Sequence, residues 1–415
     1  MCAATLYLSL RYDMACRRFL TFEPIDEPSW RKRDSKYECV PTVKEMIKDI
    51  VNYHTKWLRK QRNSGKNSFV EAKREMMMEF LFRVQQGEDI GVNDQGTFEQ
   101  VFNAEMKYFE KTGQKRECSE SGKDLPRKKI RNESPNNEQR SDQDSLPDSF
   151  DVKDYIIENL TDKGNDENNK INETRNLLRG YWHLKHELKK LSDEEQSNYV
   201  GEIDVETCIQ DCHGVLMRDL LDETKTQPGK FSVLPRSANF DGKDFFYPSY
   251  ATEEIAFQAV DTIVLEYNKM VMEISKIKNK HEKLEHSLKC ATVLLFGFLT
   301  LHPFSDGNGR LARLLCSHCL KVFCPFPTSI YNVFSHSTRD DYLRALVNAR
   351  QHLNIDPDQL KHAEDAIKEA ELILEQKPNE LCSLVIESNW FTWRQFLHRI
   401  GEDILLFEFE KTGNK

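Results

Sequence analysis

Twelve consecutive residues hold most of what a reaction on a phosphate ester requires: His302-Pro303-Phe304-Ser305-Asp306-Gly307-Asn308-Gly309-Arg310-Leu311-Ala312-Arg313. His302 titrates near neutrality and is the candidate proton acceptor. Asp306 offers a hard carboxylate oxygen of the kind that joins Mg2+ to phosphates. Gly307, Asn308 and Gly309 permit a tight turn whose backbone N–H groups converge inward, and a glycine turn opening a helix is an anion seat. Arg310 and Arg313, one helical turn apart, put two guanidinium groups on a shared side. Base, metal ligand, amides and arginines together describe a polyphosphate cradle.

Two helices must position that turn. Leu284, Leu288, Ala291, Leu294, Leu295, Phe298 and Leu301 give the segment Glu282–Leu301 enough apolar surface for a central buried helix. Pro303 biases His302 away from the α region and ends it. A second helix is expected from about Arg310 through Leu314, Leu315 and Leu320. Three rival readings of nearby motifs fail on context. Gly307 to Ala312 also spells G-x-G-x-x-A, but it follows an apolar helix instead of a strand, and no βαβ alternation surrounds it. Gly229-Lys230 is followed by Phe231 where a phosphate-binding P-loop needs Ser or Thr. His281 and His286 are five residues apart, one too many for the H-E-x-x-H zinc motif.

At every defined position the twelve residues resemble the Fic-family signature H-x-F-x-[D/E]-G-N-G-R-x-x-R. The resemblance extends more loosely over about 205–350. Cys212-His213 sits where the family has a leucine–histidine helix, and Pro228-Gly229-Lys230-Phe231 where it has a glycine–basic–phenylalanine turn. Asp241 to Pro248 falls at its target-positioning flap, and Asp341-Tyr342 on the following helix. The resemblance implies a protein adenylyltransferase using ATP and Mg2+. His302 would deprotonate a Ser, Thr or Tyr hydroxyl of a target protein, and that oxygen would attack the ATP α-phosphate. Asp306 would hold Mg2+, Gly307, Asn308 and Gly309 would bind phosphate oxygens, and Arg310 would grip the β/γ end with support from Arg313. Tyr342 would help hold the adenosine. Transfer of another nucleotide, removal of AMP, and a non-catalytic scaffold remain open alternatives. Many family members carry an inhibitory glutamate, in [S/T]-x-x-x-E-[G/N], that pairs with the second motif arginine. The nearest candidate is Glu173, in Asn169-Lys170-Ile171-Asn172-Glu173-Thr174, which lacks the flanking residues, so an ordinary first-turn helix glutamate is the preferred reading over an inhibitory one. Arg350 stands roughly where some members keep an asparagine near the nucleotide.

The remaining sequence divides by composition. Residues 1–111 read as helical, with apolar periods at Val43–Tyr53 and Phe69–Leu81, and with no chemistry of their own. Residues 112–149 have almost no large apolar side chains and read as a disordered linker. Within that region Lys115-Arg116 and Arg127-Lys128-Lys129-Ile130-Arg131 resemble a bipartite nuclear-import signal, so a cytoplasmic or nuclear location is expected. Residues 150–355 form the Fic-type unit. It begins with helical patterns at Ile171–Leu191 and Val205–Leu221, and FSVLPRSANFDGKDFFYPSY reads as a short hairpin or extended loop. Residues 356–415 are again helical. The fold class is mostly α. The 68 acidic against 59 basic side chains argue against wholesale nucleic-acid coating. No apolar run is expected to span a bilayer, and the arginines near the start follow the apolar stretch instead of preceding it, unlike a secretory signal. The 11 cysteines have no repeating spacing and suit reduced thiols. Cys316, His318, Cys319 and Cys324 have partial zinc spacing, but an apolar helix makes core packing the preferred reading.

Overall fold

Apolar side chains three and four residues apart shape this chain. Val43, Met46, Ile47, Ile50 and Tyr53 are all buried along one face of a single helix. A computed structural model describes residues 15–31, 40–64, 69–120, 165–193, 201–221, 224–321, 323–335, 339–356 and 358–404, with side chains at 110–120, 165–166 and 189–193 left aside. In chain order the helices begin with α1 (Ala15–Phe19), α2 (Val43–Ser64), α3 (Val70–Glu88), α4 (Gln95–Glu120) and α5 (Asn165–Asp193). A π-helical turn, Val205–Asp211, runs into α6 (Cys212–Leu216). Strands β1 (Ser237–Phe240), β2 (Lys243–Phe246) and β3 (Ser249–Tyr250) lead to α7 (Glu253–Ser275), α8 (Lys280–Leu301), α9 (Asn308–Leu320) and α10 (Asp340–Ala349). Strand β4 (Gln359–Leu360), α11 (Ala363–Leu374) and α12 (Asn379–Arg399) complete the described residues. The class is mostly α, as the scarce strand signals imply.

The centre is α8. Its residues from Ser287 to Leu301 are buried on every side, so it packs at once against α7, α9, α11, α12 and α2. Gly297 permits part of this: a Cβ there would stand 3.3 Å from Leu374 and 3.4 Å from Ile263. Asn279 starts the helix by accepting the His281 N–H at 2.9 Å and the Glu282 N–H at 3.3 Å. By length and hydropathy α8 is apolar enough to cross a bilayer, contrary to the sequence expectation. However, 89% of that apolar window lies inside the protein, as suits a core helix.

The expected hairpin forms, with β1 and β2 antiparallel and Phe240 opposite Lys243. Its turn is Asp241-Gly242, at φ 50° and 76°. Two successive positive φ values match the right-handed twist of the strands, and an Asp-Gly pair accommodates them. β3 and β4 pair in parallel. The expected single helix over Val205–Leu221 forms instead as the π-helical turn plus α6. Asp204 caps it, accepting the Thr207 N–H at 2.8 Å, and the wider turn shifts the phase of every residue after it.

The two ends of the chain join the same core. α1 packs on α7, and α2 lies along α12. Trp390 Nε1 donates to Asp49 at 3.0 Å, and the buried Arg31 and Glu387 meet at 2.7 Å. α4 continues to Glu120, past the expected linker boundary at Lys111. Lys115-Arg116 therefore falls in a helix, while Arg127–Arg131 lies outside the described residues. Cys316, Cys319 and Cys324 are all buried. Cys319 accepts the Tyr267 hydroxyl at 2.8 Å, and burial pushes its thiol up to about 12, which is core packing. Leu295→Ala, at a fully buried α8 position, should cost about 2–5 kcal/mol of stability in a urea titration.

Candidate functional site at the helix junction

His302 stands where α8 stops. It has a left-handed backbone at φ 49°, and its N–H still donates to the Phe298 carbonyl at 2.9 Å. A non-glycine residue in that region costs of order 1 kcal/mol, and Pro303 forbids another helical turn. The half-buried imidazole stacks face to face on Tyr247, with ring centroids 4.0 Å apart and planes 13° from parallel. Its Nδ1 is buried with no hydrogen-bond partner. Burial above all, then the Arg236 and Arg350 charges, pulls its pKa down to about 3, against a smaller opposing pull from the Leu299 carbonyl and Asp306. The ring is therefore neutral at pH 7, the form able to accept a proton.

The turn after it is closed by one side chain. Asn308 Oδ1 accepts the Phe304 N–H at 3.0 Å, and its Nδ2 donates to the Phe304 carbonyl at 2.8 Å. Gly307 sits at φ 75°, where a Cβ would come within 2.6 Å of Met217 Sδ. Phe304 is buried and stacks on His213 with centroids 3.6 Å apart. The hydrogen bonds fix the tautomer of His213. Its Nδ1 accepts the Gly229 N–H at 2.9 Å, so Nε2 carries the proton and donates to the Asp306 carbonyl at 3.0 Å. Burial lowers this ring to about 4, which keeps it neutral and in that role. The Thr226 N–H donates to Ser305 Oγ at 3.1 Å, a second tie between the 224–230 segment and the loop.

Charge then collects on the open side. Asp306 Oδ1 accepts the Gly307 N–H at 2.6 Å and lies 3.4 Å from Arg310, while Oδ2 lies 3.5 Å from Lys225 Nζ. Burial would raise this carboxyl, but Arg310, the Gly307 N–H and Lys225 outweigh it and hold the group below its ordinary range. An ionised, half-exposed carboxylate suits a hard cation, so Asp306 is the residue that would hold Mg2+. Arg310 is buried, and its Nη1 has no hydrogen-bond partner. A guanidinium nitrogen left unsatisfied inside a protein is uncommon, and here it adjoins the first turn of α9.

Residues 203–320 match the model of the Fic/DOC family. This is a Fic-family domain. Two curated proteins resemble parts of the chain. A ribonucleoside-diphosphate reductase small chain of Ostreid herpesvirus 1 is 29% identical over 152 residues, covering 36% of this chain and 23% of that protein. A Fido domain-containing protein of Dictyostelium discoideum is 39% identical over 57 residues, covering 14% of this chain and 36% of that protein. The chain thus spans well under half the length of either relative. Among solved structures, a Fic domain containing signaling protein from Bacteroides thetaiotaomicron aligns at TM-score 0.41 and 20% identity, covering 59% of this chain and 78% of that one. Fic-1 from C. elegans aligns at 0.43 and 15%, covering 86% and 72%.

In this Fic domain the second motif arginine is already engaged. Arg313 Nη1 lies 2.6 Å from Glu88 Oε1 and 3.4 Å from the Val84 carbonyl, and its guanidinium packs 4.6 Å over the Tyr342 ring. The Glu88 carboxylate also lies against Gly309, so closely that any Cβ there would overlap it. A negative group thus rests on the first turn of α9, where the peptide dipoles favour an anion. Glu88 belongs to the N-terminal region that showed no chemistry in the sequence. Its context, Val84-Gln85-Gln86-Gly87-Glu88-Asp89, lacks both the leading Ser or Thr and the trailing Gly or Asn that would mark it.

Glu173 holds no arginine of the motif. Its Oε2 accepts the Gly91 N–H at 2.7 Å. Beside it Thr174 Oγ1 accepts the Val92 N–H at 3.2 Å and bonds Gln85 Oε1 at 2.7 Å. Both residues fasten the turn that follows Glu88. Tyr342 is buried beneath Arg313, its hydroxyl without a hydrogen-bond partner, so it serves as a shelf for that guanidinium. Arg350 reaches the flap, donating to the Phe246 carbonyl at 2.6 Å. Lys225, Tyr247 and Glu88 gave no signal in the sequence, and His213 only a positional one. Gly307→Ala should leave the helix content unchanged and lower stability by about 1–3 kcal/mol through left-handed strain, as read in a urea titration.

Proposed function

We propose that the chain transfers AMP from ATP onto a hydroxyl side chain of another protein. The observation that carries this reading is the Glu88 carboxylate seated between Gly309 and Arg313. An anion already rests on the helix N-terminus and second arginine that a triphosphate would use, with a neutral imidazole on the same short loop. In the reaction the acceptor oxygen forms a bond to the α-phosphorus as its proton passes to His302. The bond from that phosphorus to the bridging oxygen breaks, and pyrophosphate leaves with the electron pair. Gly307, Asn308 and Gly309 contribute amides, and Arg310 and Arg313 neutralise phosphate charge, the kind of positioning and charge stabilisation that phosphoryl chemistry needs. Mg2+ held by Asp306 would supply further charge neutralisation.

Glu88 is the brake in this scheme, because it occupies Arg313 and the anion seat. Glu173 is its support. A second reading has an observation in its favour: a carboxylate beside the loop can also orient water, so that hydrolysis removes AMP from a modified protein.

The sign of the Glu88→Gly effect separates the two readings. With labelled ATP and a cell extract, the variant should raise transfer to protein about tenfold or more, equivalent to about 1.4 kcal/mol. Loss of AMP removal with no gain in transfer would favour hydrolysis. His302→Ala in the same background should abolish label, and unchanged labelling would reject the base assignment. Glu173→Gly should give a smaller rise than Glu88→Gly. The depressed His302 pKa has a further consequence. A base neutral far below its usual 6.5 should give a transfer rate with no acid limb between about pH 6 and 8.

A further inference from the structure

The flap reaches back to the base. Tyr247 follows β2 directly, and its N–H donates to the Arg236 carbonyl at 3.0 Å, continuing the hairpin's backbone pairing. Its ring then lies flat on His302. Arg350, at the end of α10, holds this arrangement from outside. Its guanidinium donates to the Phe246 carbonyl and lies 4.9 Å over the Tyr247 ring. Arg236 braces the other end of the flap, bonding the Ser232 carbonyl at 2.6 Å and the Pro248 carbonyl.

An imidazole accepts a proton in the plane of its ring, along the nitrogen lone pair. A face-on partner covers the π surface, fixes the ring's rotation and excludes water, yet leaves the reacting edge open. At His302 such a partner adds to the Leu299 carbonyl, which acts on the ring, while Nδ1 is buried with no hydrogen-bond partner. From Tyr247, Arg350 and His302 we infer that Tyr247, clamped by Arg350, is the positioning residue for the base. This inference rests on the proposed transfer reaction for its purpose, though not for its geometry.

The charged and titratable groups acting on the His302 ring are Arg236 and Tyr247 from the flap, Arg350 from α10 and Asp306 from the loop. Burial and the two arginines disfavour the imidazolium, so uncovering the ring should return it toward its ordinary range. The variants are Tyr247→Phe, which keeps the stack, Tyr247→Ala, which removes it, and Arg350→Lys, which keeps the charge but loses the planar fork. Tyr247 pairs through its backbone, so its substitution leaves the hairpin bonds in place, and thermal midpoints check that each variant is folded.

The first measurement is an NMR titration of histidine-labelled full-length protein, with His302→Ala to assign the resonance. His302 should stay neutral down to about pH 5 in the wild type and Tyr247→Phe, and titrate near about pH 6.5 in Tyr247→Ala. Arg350→Lys should fall between. The same midpoint in Tyr247→Ala as in the wild type, or Tyr247→Phe behaving like Tyr247→Ala, would overturn the inference. The second measurement is transfer in the Glu88→Gly background. Tyr247→Ala should lower kcat about tenfold, add an acid limb, and leave the KM for ATP unchanged. A rise in that KM with kcat intact would also overturn the inference. Absence of transfer in Glu88→Gly itself, with the titrations as expected, would sink the proposed reaction while the positioning of His302 stands.

Discussion

Two buried helices have to reverse direction between Leu301 and Asn308, and the Asn308 side chain makes this possible by bonding both backbone groups of Phe304. Once that small ring is closed, little freedom remains. His302 takes a left-handed backbone, Gly307 must lack a side chain, and the first turn of α9 meets the Glu88 carboxylate at Gly309. The neutral His213 seals the rear of the turn by bridging Gly229 to the Asp306 carbonyl. The arrangement of the segment follows from geometry that the core imposes. Neither arginine would be useful at a junction free to relax.

That rigidity explains why a protein carboxylate can compete for the seat. An anion site built from fixed amides and guanidinium groups does not distinguish sharply between a phosphate and a carboxylate. Glu88 is tethered by α3 and fastened through Gly91 and Val92 to α5, so it meets Arg313 at a high effective concentration. If the internal contact were favoured 100-fold, an incoming nucleotide would appear about 100-fold weaker, roughly 2.7 kcal/mol. Under the proposed function, control of the site would lie far from it, in whatever loosens the packing of α3 on α5.

Legibility followed sequence distance. The motif from His302 to Arg313 was readable because its parts are contiguous and each type has a chemical reason to be there. The hairpin was readable, beside an extended loop, from the β-formers and turn residues of the stretch around it, and α8 from its apolar face. Glu88 was not, because its meaning comes from meeting Arg313 more than two hundred positions later, and nothing local marks it. Glu173 resembled the expected segment more closely yet binds a backbone amide. Tyr247 and Arg350 likewise meet only when flap and α10 converge. The π-helical turn at Val205–Asp211 hid for a different reason: its buried residues Val205, Cys208 and Ile209 have the spacing that an α-helix would also bury.

Trp30 and Arg31 both bond Glu387, a partner more than 350 positions along the chain. α12, which carries that glutamate, also packs against α8. At about 5–20 residues per second of synthesis, the strap around Trp30 would wait roughly 20–70 seconds for α12 to emerge. α8 ends at Leu301 and α12 starts at Asn379, so for roughly 4–16 seconds of synthesis α8 would stand with one apolar side bare, a surface that chaperones are suited to cover. The junction at the end of α8 would therefore take its final packing only once α12 has docked.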